Sequence, residues 1–291
     1  AGSSQTVETR GDSLGGVAAA TATLYIRDRL MGATSIEWTD WSTNPIRARD
    51  PKTGRVGHHC VKVSAGCTNC YSSRLQVRFG LPEFRADRRQ EIEPFLDETK
   101  LREVLSRKKP TRIFWCDMSD LFGEWVPDEW INRCFAAMAL TPQHTHLVLT
   151  KRPERMRAYL RATLTHHICG GTGCPYCHDA GRVAWHRAPF PNVHVGVSVE
   201  DQATADTRIP LLLQTPAAVR WVSYEPAIAP IDFSPWLSRV VDTDDGGNDL
   251  RSVGLNWVVI GGESGPSARP FALAWARSVI AQCRAAGVKA F

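Results

Sequence analysis

The segment that decides the fold is His146-Leu-Val-Leu-Thr150-Lys-Arg-Pro153, an apolar run that ends in two cations and a proline. An apolar run of about five residues has the length of a strand whose two faces are both buried. Residues 153–164 follow it with the spacing of a helix. A buried strand followed directly by a helix is the unit from which parallel α/β sheets are built.

The same order of strand and helix recurs on both sides of this segment, so the sequence predicts an α/β fold with a parallel sheet. One helix ends just before Gly287, a residue suited to a C-cap. The predicted strands are 112–116, 146–150, 193–199, 218–223 and 257–260, and the predicted helices are 128–140, 153–164, 202–213 and 271–286.

The composition is that of a folded chain with a sizeable core, because 43% of its 291 residues are hydrophobic and 22% are charged. No stretch of about 18 apolar residues occurs, so we expect no transmembrane helix, no membrane partner and a cytoplasmic protein. The formal net charge of +5 is mildly basic. It suits a nucleic-acid or phosphate-bearing partner and equally well a solvated basic face.

The two ends of the chain differ from the rest. Residues 1–16 are polar and rich in glycine and serine, and Met31 looks like a natural start. We therefore expect residues 1–30 to be a disordered extension and residues 31–291 to be a single (β/α) barrel-like domain. The last residues, Lys289–Phe291, resemble the beginning of a strand, so we expect a truncated C-terminus.

Polar residues follow each predicted strand directly. Parallel α/β folds place their active sites at these carboxyl ends, so we expect the polar residues to line a site. Capping of the next helix is the alternative, and it accounts for Asp201 and Asp128. The polar residues at the strand ends are Asp117, Asp120, Lys151, Arg152, Glu200, Asp201, Glu225 and Glu263.

The first cysteine cluster is Cys60-x6-Cys67-x2-Cys70, followed by Tyr71. Three thiolates hold a [4Fe–4S] cluster and leave one iron without a protein ligand. That iron would chelate S-adenosylmethionine and start one-electron chemistry. Two alternatives stay open: a zinc site with His58 or His59 as fourth ligand, and three unliganded thiols. Cys134 and Cys283 lie in apolar helical patterns, which indicates packing residues.

The second cysteine cluster lies in an insertion, residues 165–191, that interrupts the alternation. Cys169, Cys174, Cys177 and His178 have the spacing of a zinc knuckle, so we predict that they bind Zn2+. A bound metal would substitute for the core that so short an insertion lacks. A second iron–sulfur cluster and a metal-free loop are the alternatives.

Further short motifs are spread along the chain from residue 34 onwards. They are Ser35-Ile-Glu-Trp-Thr-Asp40, Asn44-Pro45, Asp117-Met-Ser-Asp120, Leu149-Thr-Lys-Arg-Pro153, Gly196-Val-Ser-Val-Glu200, Trp221-Val-Ser-Tyr-Glu225-Pro226 and Gly261-Gly-Glu-Ser-Gly265-Pro. Together with the first cysteine cluster, they resemble an uncharacterised phage-associated family with a three-cysteine motif. That family is similar to radical S-adenosylmethionine enzymes, whose usual first cysteine gap is three residues rather than the six found here.

The resemblance implies a partial (β/α) barrel of the radical S-adenosylmethionine type and gives roles to the strand-end residues. Asp117 and Ser119 would hold the methionine amino group, Lys151 or Arg152 its carboxylate, and Ser198 and Glu200 the ribose hydroxyls. Glu225 and Glu263 would face the substrate together with Arg269, and Lys151, Glu225 and Glu263 are the predicted catalytic residues. A reductant protein would supply the electron.

The leading hypothesis is therefore an iron–sulfur, S-adenosylmethionine-dependent radical enzyme that acts on a nucleic-acid base or nucleotide. The alternative from another class is a non-catalytic module that binds zinc at both cysteine clusters and recognises nucleic acid. A binder of that kind needs no ring of polar residues at the strand ends. An inactive relative that retains the barrel is a third reading.

Overall fold

The computed structural model describes residues 34, 36–78, 81–161, 163–165, 182–184, 190–237, 240–243 and 249–291. Two predictions lie outside these residues. They are the disordered extension, residues 1–30, and the zinc site formed by Cys169, Cys174, Cys177 and His178. Both stay predictions.

The described chain alternates strands and helices. The strands are β1 Trp41–Thr43, β2 Ile46–Arg49, β3 Val56–Gly57, β4 Glu93–Leu96, β5 Arg112–Trp115, β6 Thr145–Thr150, β7 Thr163–Thr165, β8 Arg182–Ala184, β9 Val193–Ser198, β10 Val219–Tyr224, β11 Val240–Thr243, β12 Asp249–Val253, β13 Trp257–Ile260 and β14 Lys289–Ala290. The α-helices are α1 Tyr71–Arg78, α2 Glu98–Ser106, α3 Asp128–Ala139, α4 Pro153–Arg161, α5 Gln202–Leu213, α6 Ser234–Leu237 and α7 Leu273–Ala285, and two 3-10 helices span Ala65–Cys67 and Ala86–Glu91.

The main sheet has seven strands in the order β1-β5-β6-β9-β10-β13-β14, and every neighbouring pair is parallel. The predicted parallel α/β fold is confirmed, and the five predicted strands agree with β5, β6, β9, β10 and β13 to within one residue at each end. Within the described residues the sheet is open, with β1 and β14 at its edges. Closure into a barrel is not confirmed.

The predicted helices also occur, with one correction. The helix predicted to continue to residue 164 ends at Arg161, and Thr163–Thr165 form strand β7 instead. Gly287 has a φ of +67°, the left-handed conformation of a helix C-cap, as its position predicted. Cys134 and Cys283 are buried in the core, which confirms them as packing residues. No helix among the described residues has the length and apolar character needed to cross a bilayer.

The two faces of the main sheet bury different residues, because successive side chains of a strand point to opposite faces. Ile113, Val148 and Val222 belong to the core that also includes buried residues of helices α3, α4, α5 and α7. Phe114 and Trp221 belong to a second cluster on the other face. Trp38 lies against both of them, with ring centroids 4.8 Å from Phe114 and 5.1 Å from Trp221.

A small antiparallel sheet, β3-β2-β4, follows β1 and precedes β5 in the chain. The sequence did not predict it, because β2 is only four residues long and its buried Ile46 and Ala48 alternate with Arg47 and Arg49 for just two periods. The turn between β2 and β3 is built around Asp50, whose side chain accepts hydrogen bonds from Lys52 N and Thr53 N. This sheet adjoins, in the chain, the loop that carries the first three cysteines.

Candidate active site

Residues 58–70, which we call the cysteine loop, connect β3 to α1 and carry Cys60, Cys67 and Cys70. The 3-10 helix Ala65–Cys67 tightens its second half, where Cys67 N donates to Ser64 O at 2.9 Å. Helix α1 begins directly after the third cysteine, and Arg74 N donates to Cys70 O at 3.2 Å. Local backbone hydrogen bonds therefore fix Cys67 and Cys70 relative to α1.

Arg152, which follows β6, holds the beginning of the cysteine loop. Its guanidinium donates to Val61 O at 3.1 Å, to Asp120 Oδ2 at 2.9 Å and to Glu124 at 3.1 Å. The side chain is 6% exposed and lies over the ring of Trp125. Because the Arg152 side chain is nearly buried and its guanidinium already binds two carboxylates and a carbonyl, it acts first as a support for the loop.

Glu200, which follows β9, holds the middle of the loop. Its carboxylate is fully buried, accepts a hydrogen bond from Gly66 N at 3.1 Å and pairs with Arg208 at 3.0 Å. A side chain at position 66 would bring its Cβ to 3.0 Å from the Glu200 carboxylate carbon. Glycine at this position therefore permits the close approach of loop and strand end.

Glu263 and Arg269, beyond β13, hold the second half of the loop. Glu263 accepts from Asn69 Nδ2 at 2.9 Å and pairs with Arg269 at 2.6 Å, while Arg269 donates to Ala65 O at 3.0 Å. The hydrogen bond from Arg269 holds the pKa of Glu263 at about 2, well below its ordinary value. Glu263 is therefore an ionised residue of a structural pair.

Asp117, which follows β5, meets the end of the loop where α1 begins. The hydroxyls of Tyr71 and Ser72 donate to Asp117 O at 2.7 Å and 2.9 Å. The Asp117 carboxylate accepts from Asn44 Nδ2 at 2.6 Å. Burial raises the pKa of this carboxyl, although the hydrogen bond from Asn44 opposes the rise.

The strand-end residues that contact the cysteine loop or the start of α1 form what we call the rim. They come from four strand ends and lie up to 204 residues away in sequence from their loop partners. The sequence predicted these residues as a site, and the structure brings them together around the loop. The rim consists of Asp117, Arg152, Glu200, Glu263 and Arg269.

A second group of strand-end residues, which we call the centre, makes no hydrogen bond to the cysteine loop within the described residues. Lys151 Nζ donates to Ser198 Oγ at 2.6 Å, and Ser198 Oγ donates to Glu225 O at 3.1 Å. Glu225 Oε2 accepts from Trp38 Nε1 at 3.3 Å and from Ser223 Oγ at 3.0 Å. Burial raises the pKa of Glu225, so its carboxyl holds a proton more readily than an exposed glutamate does.

The thiols of Cys60, Cys67 and Cys70 are half-buried and form no disulfide. Burial raises the pKa of Cys60 to about 12, and the carboxylate of Asp120 adds to this effect. Among the residues that the structure describes, no three Cys, His, Asp or Glu side chains are grouped closely enough to hold a metal ion. The chemistry of the donor set, three thiols on one short loop, nevertheless fits an iron–sulfur cluster.

Ser119 provides a second observation that fits a bound cofactor. Its hydroxyl oxygen is buried in the loop after β5 and has no hydrogen-bond partner among the described residues. A buried polar atom without a hydrogen-bond partner costs free energy. Such an atom commonly bonds to a ligand or to water. Ser119 is one of the residues predicted to hold the methionine amino group.

Comparison with known proteins identifies the family. A family profile described as a protein of unknown function, DUF5131, matches residues 33–291. The chain belongs to this family. A search of the curated proteins finds no match to the DUF5131 chain.

Solved structures similar to the DUF5131 chain include several of spore photoproduct lyase. A mutant of that enzyme with bound AdoMet and dinucleoside spore photoproduct has 12% identity and a TM-score of 0.38, and the match covers 69% of this chain but 49% of the lyase. Another mutant has 11% identity and a TM-score of 0.45 over 90% of this chain and 78% of the lyase. A complex of the lyase with dinucleoside spore photoproduct has 11% identity and a TM-score of 0.44, and the match covers 91% of this chain and 79% of the lyase.

Several residues of the site were not predicted as functional. Asn69, Gly66 and Arg208 are hydrogen-bonded to carboxylates of the rim, and Trp38 and Ser223 to the carboxylate of Glu225 in the centre. Asn69 and Trp38 belong to motifs that the sequence singled out, so their position was a signal. Arg208 lies in the middle of helix α5, where an arginine is ordinarily taken for a surface residue.

Proposed function

We propose that this chain is an iron–sulfur, S-adenosylmethionine-dependent radical enzyme on a partial (β/α) barrel, acting on a nucleic-acid base or nucleotide. One observation carries the proposal: the loop with the three thiols and the start of α1, which directly follows it, are hydrogen-bonded to residues from four carboxyl ends of the parallel sheet. Active sites of parallel α/β proteins lie at that edge. A loop of free thiols fastened there has the position that a catalytic cluster needs.

Cys60, Cys67 and Cys70 would hold a [4Fe–4S] cluster, with one iron left for S-adenosylmethionine. Once bound, the cluster and S-adenosylmethionine supply one-electron reduction and a carbon-centred radical, with the electron coming from a reductant protein. The rim residues keep the loop in place against the strand ends, so that the thiols stay at the site. The spacing of Cys169, Cys174, Cys177 and His178 supports a separate Zn2+ site in the insertion.

The residues proposed to bind S-adenosylmethionine fall into two groups. The buried hydroxyl of Ser119 has no partner among the described residues, and the Lys151 ammonium makes one hydrogen bond there, to Ser198. These two are free to bind the amino group and the carboxylate directly. Arg152 and Glu200 already bind the cysteine loop, so we propose that they act by supporting it.

Glu225 is the proposed acid or base of the centre. Its buried carboxyl is oriented by Trp38 and Ser223, and Ser198 links its backbone to the Lys151 ammonium. The raised pKa lets this carboxyl hold a proton beside a reacting base and release it during turnover. Glu263 suits that work less well, because its pKa of about 2 keeps it ionised. We propose that Glu263 supports the loop and faces the substrate only through Arg269.

The test is to purify the full chain without oxygen, reconstitute it with iron and sulfide, and measure metal content and the visible spectrum. The proposal expects about four irons per chain at the first cysteine cluster and a broad brown absorption. Addition of S-adenosylmethionine after reduction should change the spectrum. Two zinc ions and no iron would overturn the proposal in favour of a non-catalytic nucleic-acid-binding module.

A further inference from the structure

The region that contains the small sheet and the cysteine loop carries most of the net charge of the protein. Residues 46–97, which we call the basic lobe, contain ten lysines and arginines against six aspartates and glutamates, a net charge of +4. The whole chain of 291 residues has a net charge of +5. Positive charge is therefore concentrated in less than a fifth of the sequence, beside the candidate active site.

Ion pairs within the lobe neutralise four of its carboxylates. Arg47 pairs with Asp97 at 3.3 Å, Lys62 with Glu83 at 2.5 Å and Arg88 with Glu91 at 3.9 Å, and Arg85 pairs with Asp87. Four further cations with exposed side chains outnumber the two remaining carboxylates, Asp50 and Glu93. These cations are Arg49, Lys52, Arg78 and Arg89.

Exposed apolar side chains accompany these cations. Arg49 lies over the ring of Phe95, 5.1 Å from its centroid, and the ladder places Val56 opposite Arg49 on the same face of the small sheet. The ring of Tyr71 is 39% exposed, although its hydroxyl is bonded to Asp117 O. Of the ten large apolar side chains that are exposed among the described residues, five lie in the lobe: Val56, Val63, Tyr71, Leu75 and Val77.

Cations interleaved with exposed aromatic and apolar side chains match the chemistry of a single nucleic-acid strand. Lysine and arginine bind its phosphates, and aromatic rings stack on its unpaired bases. Tyr71 directly follows Cys70, so its exposed ring lies at the end of the cysteine loop. An enzyme that acts on a base must first take that base out of a duplex stack or bind single-stranded substrate.

We infer that the basic lobe binds the sugar–phosphate backbone of a single-stranded nucleic acid and that Tyr71 stacks one of its bases beside the cysteine loop. This inference deepens the proposed function, because it names the surface that brings the base to the site. It differs from that proposal in what it needs: the lobe binds nucleic acid whether or not a cluster is present. The two ideas can therefore fail separately.

The experiment is fluorescence anisotropy of labelled single-stranded DNA and RNA of about 20 nucleotides with the full chain, purified without a cluster. Affinity should fall with salt, with a log–log slope of about −0.7 for each phosphate neutralised, hence about −3 for four contacts. The DNA and RNA arms show which strand is preferred. Duplex DNA and polyglutamate, which are also negatively charged polymers, serve as competing ligands.

The decisive variant combines Arg49→Gln, Lys52→Gln, Arg78→Gln and Arg89→Gln. Because these side chains are exposed, folding should be unchanged, and affinity in low salt should fall by about tenfold or more with a shallower salt slope. The matched control combines Arg277→Gln and Arg284→Gln, two exposed residues of α7, the helix beside edge strand β14. The control should bind as the unchanged protein does.

A second pair of variants tests Tyr71. Tyr71→Phe keeps the ring and should retain affinity, while Tyr71→Leu should lose about fivefold or more, since stacking of a base on an aromatic ring is lost. Absence of salt-dependent binding, or an equal loss in the α7 control, would overturn the inference. Tighter binding of duplex DNA would overturn the single-strand assignment, and tighter binding of polyglutamate would replace nucleic acid by an acidic protein partner.

Discussion

The rim and the centre occupy the same edge of the sheet, yet their side chains have different partners. In the rim, Glu200 pairs with Arg208 and Glu263 with Arg269, and each pair also hydrogen-bonds the cysteine loop. In the centre, the Lys151 ammonium donates a hydrogen bond only to Ser198 within the described residues. A position at the carboxyl end of a strand therefore does not by itself determine the role of a residue. Its neighbours decide whether it supports the loop or stays available to a ligand.

Substitutions in the rim and in the centre should therefore have different effects on stability. Changes in the rim should lower the stability of the protein, because they leave buried charges without partners. Changes in the centre should leave folding nearly intact, because those residues make few contacts that folding depends on. Three substitutions, in order of expected effect, test the division.

The largest effect is expected for Arg208→Met. The substitution leaves the Glu200 carboxylate fully buried without its cation, and breaking such a pair costs about 3–5 kcal/mol. Urea unfolding at neutral pH, followed by circular dichroism, measures the free energy of unfolding.

The matched control for Arg208→Met is Arg85→Ala, which breaks the exposed pair of Arg85 with Asp87. Exposed ion pairs contribute little, so the free energy of unfolding should stay within experimental error of the unchanged protein. Equal losses in the two variants would show that Glu200 and Arg208 do not form the buried support that the rim requires.

A smaller loss is expected for Arg269→Met. Its partner Glu263 is nearly buried, and the loss of charge-assisted hydrogen bonds from a partly exposed arginine costs about 1–2 kcal/mol at pH 7. Arg269 lowers the pKa of Glu263 from its ordinary 4.5 to about 2. The stabilisation is therefore complete above pH 4.5 and is lost as pH falls towards 2.

The difference in unfolding free energy between the unchanged protein and Arg269→Met should accordingly shrink between pH 5 and pH 2.5. Chemical unfolding at several pH values measures it. A difference that stays constant over this range would mean that Arg269 stabilises the protein by some route other than the Glu263 carboxylate.

The smallest effect is expected in the centre, for Glu225→Gln. Burial raises the pKa of Glu225 in the folded state, so the folded protein binds its proton more tightly than the unfolded chain does. Ionisation of Glu225 therefore costs stability as pH rises through and above 4.5. The glutamine variant escapes this cost and should gain stability relative to the unchanged protein at pH 7, but not at pH 4.

Glutamine is nearly isosteric with glutamate, and its side-chain oxygen can still accept the hydrogen bonds from Trp38 and Ser223. The same unfolding experiment measures the result. Destabilisation by Glu225→Gln as large as that expected for Arg208→Met would place Glu225 in the rim and remove the distinction between the two groups.

Much of the fold was predictable from short-range pattern. The strands and helices after residue 110 have apolar runs and helical spacings that fit within a dozen residues, and Gly287 ends its helix as expected. Strands β1 to β4 were missed because each has only two to four residues, too few to establish a pattern. Burial of Ala48, between Arg47 and Arg49 in the chain, depends on the neighbouring strands and cannot be read from four residues.

The candidate site was predictable in its members and not in its contacts. Glu200, Glu263 and Arg152 were predicted at strand ends, and all three lie there. Their partners Gly66, Asn69 and Val61 are 91 to 194 residues away in sequence. No periodicity connects residues at such separations, so only the folded chain shows that these side chains hold the cysteine loop.

The central claim is that the cysteine loop holds an iron–sulfur cluster against the strand ends. The most direct test compares iron content after anaerobic reconstitution in two variants, Cys67→Ala and Cys134→Ala. Cys67 lies in the loop, while Cys134 is buried in the core within helix α3. The account predicts loss of the cluster iron in Cys67→Ala and full content in Cys134→Ala; full iron content in Cys67→Ala would contradict it.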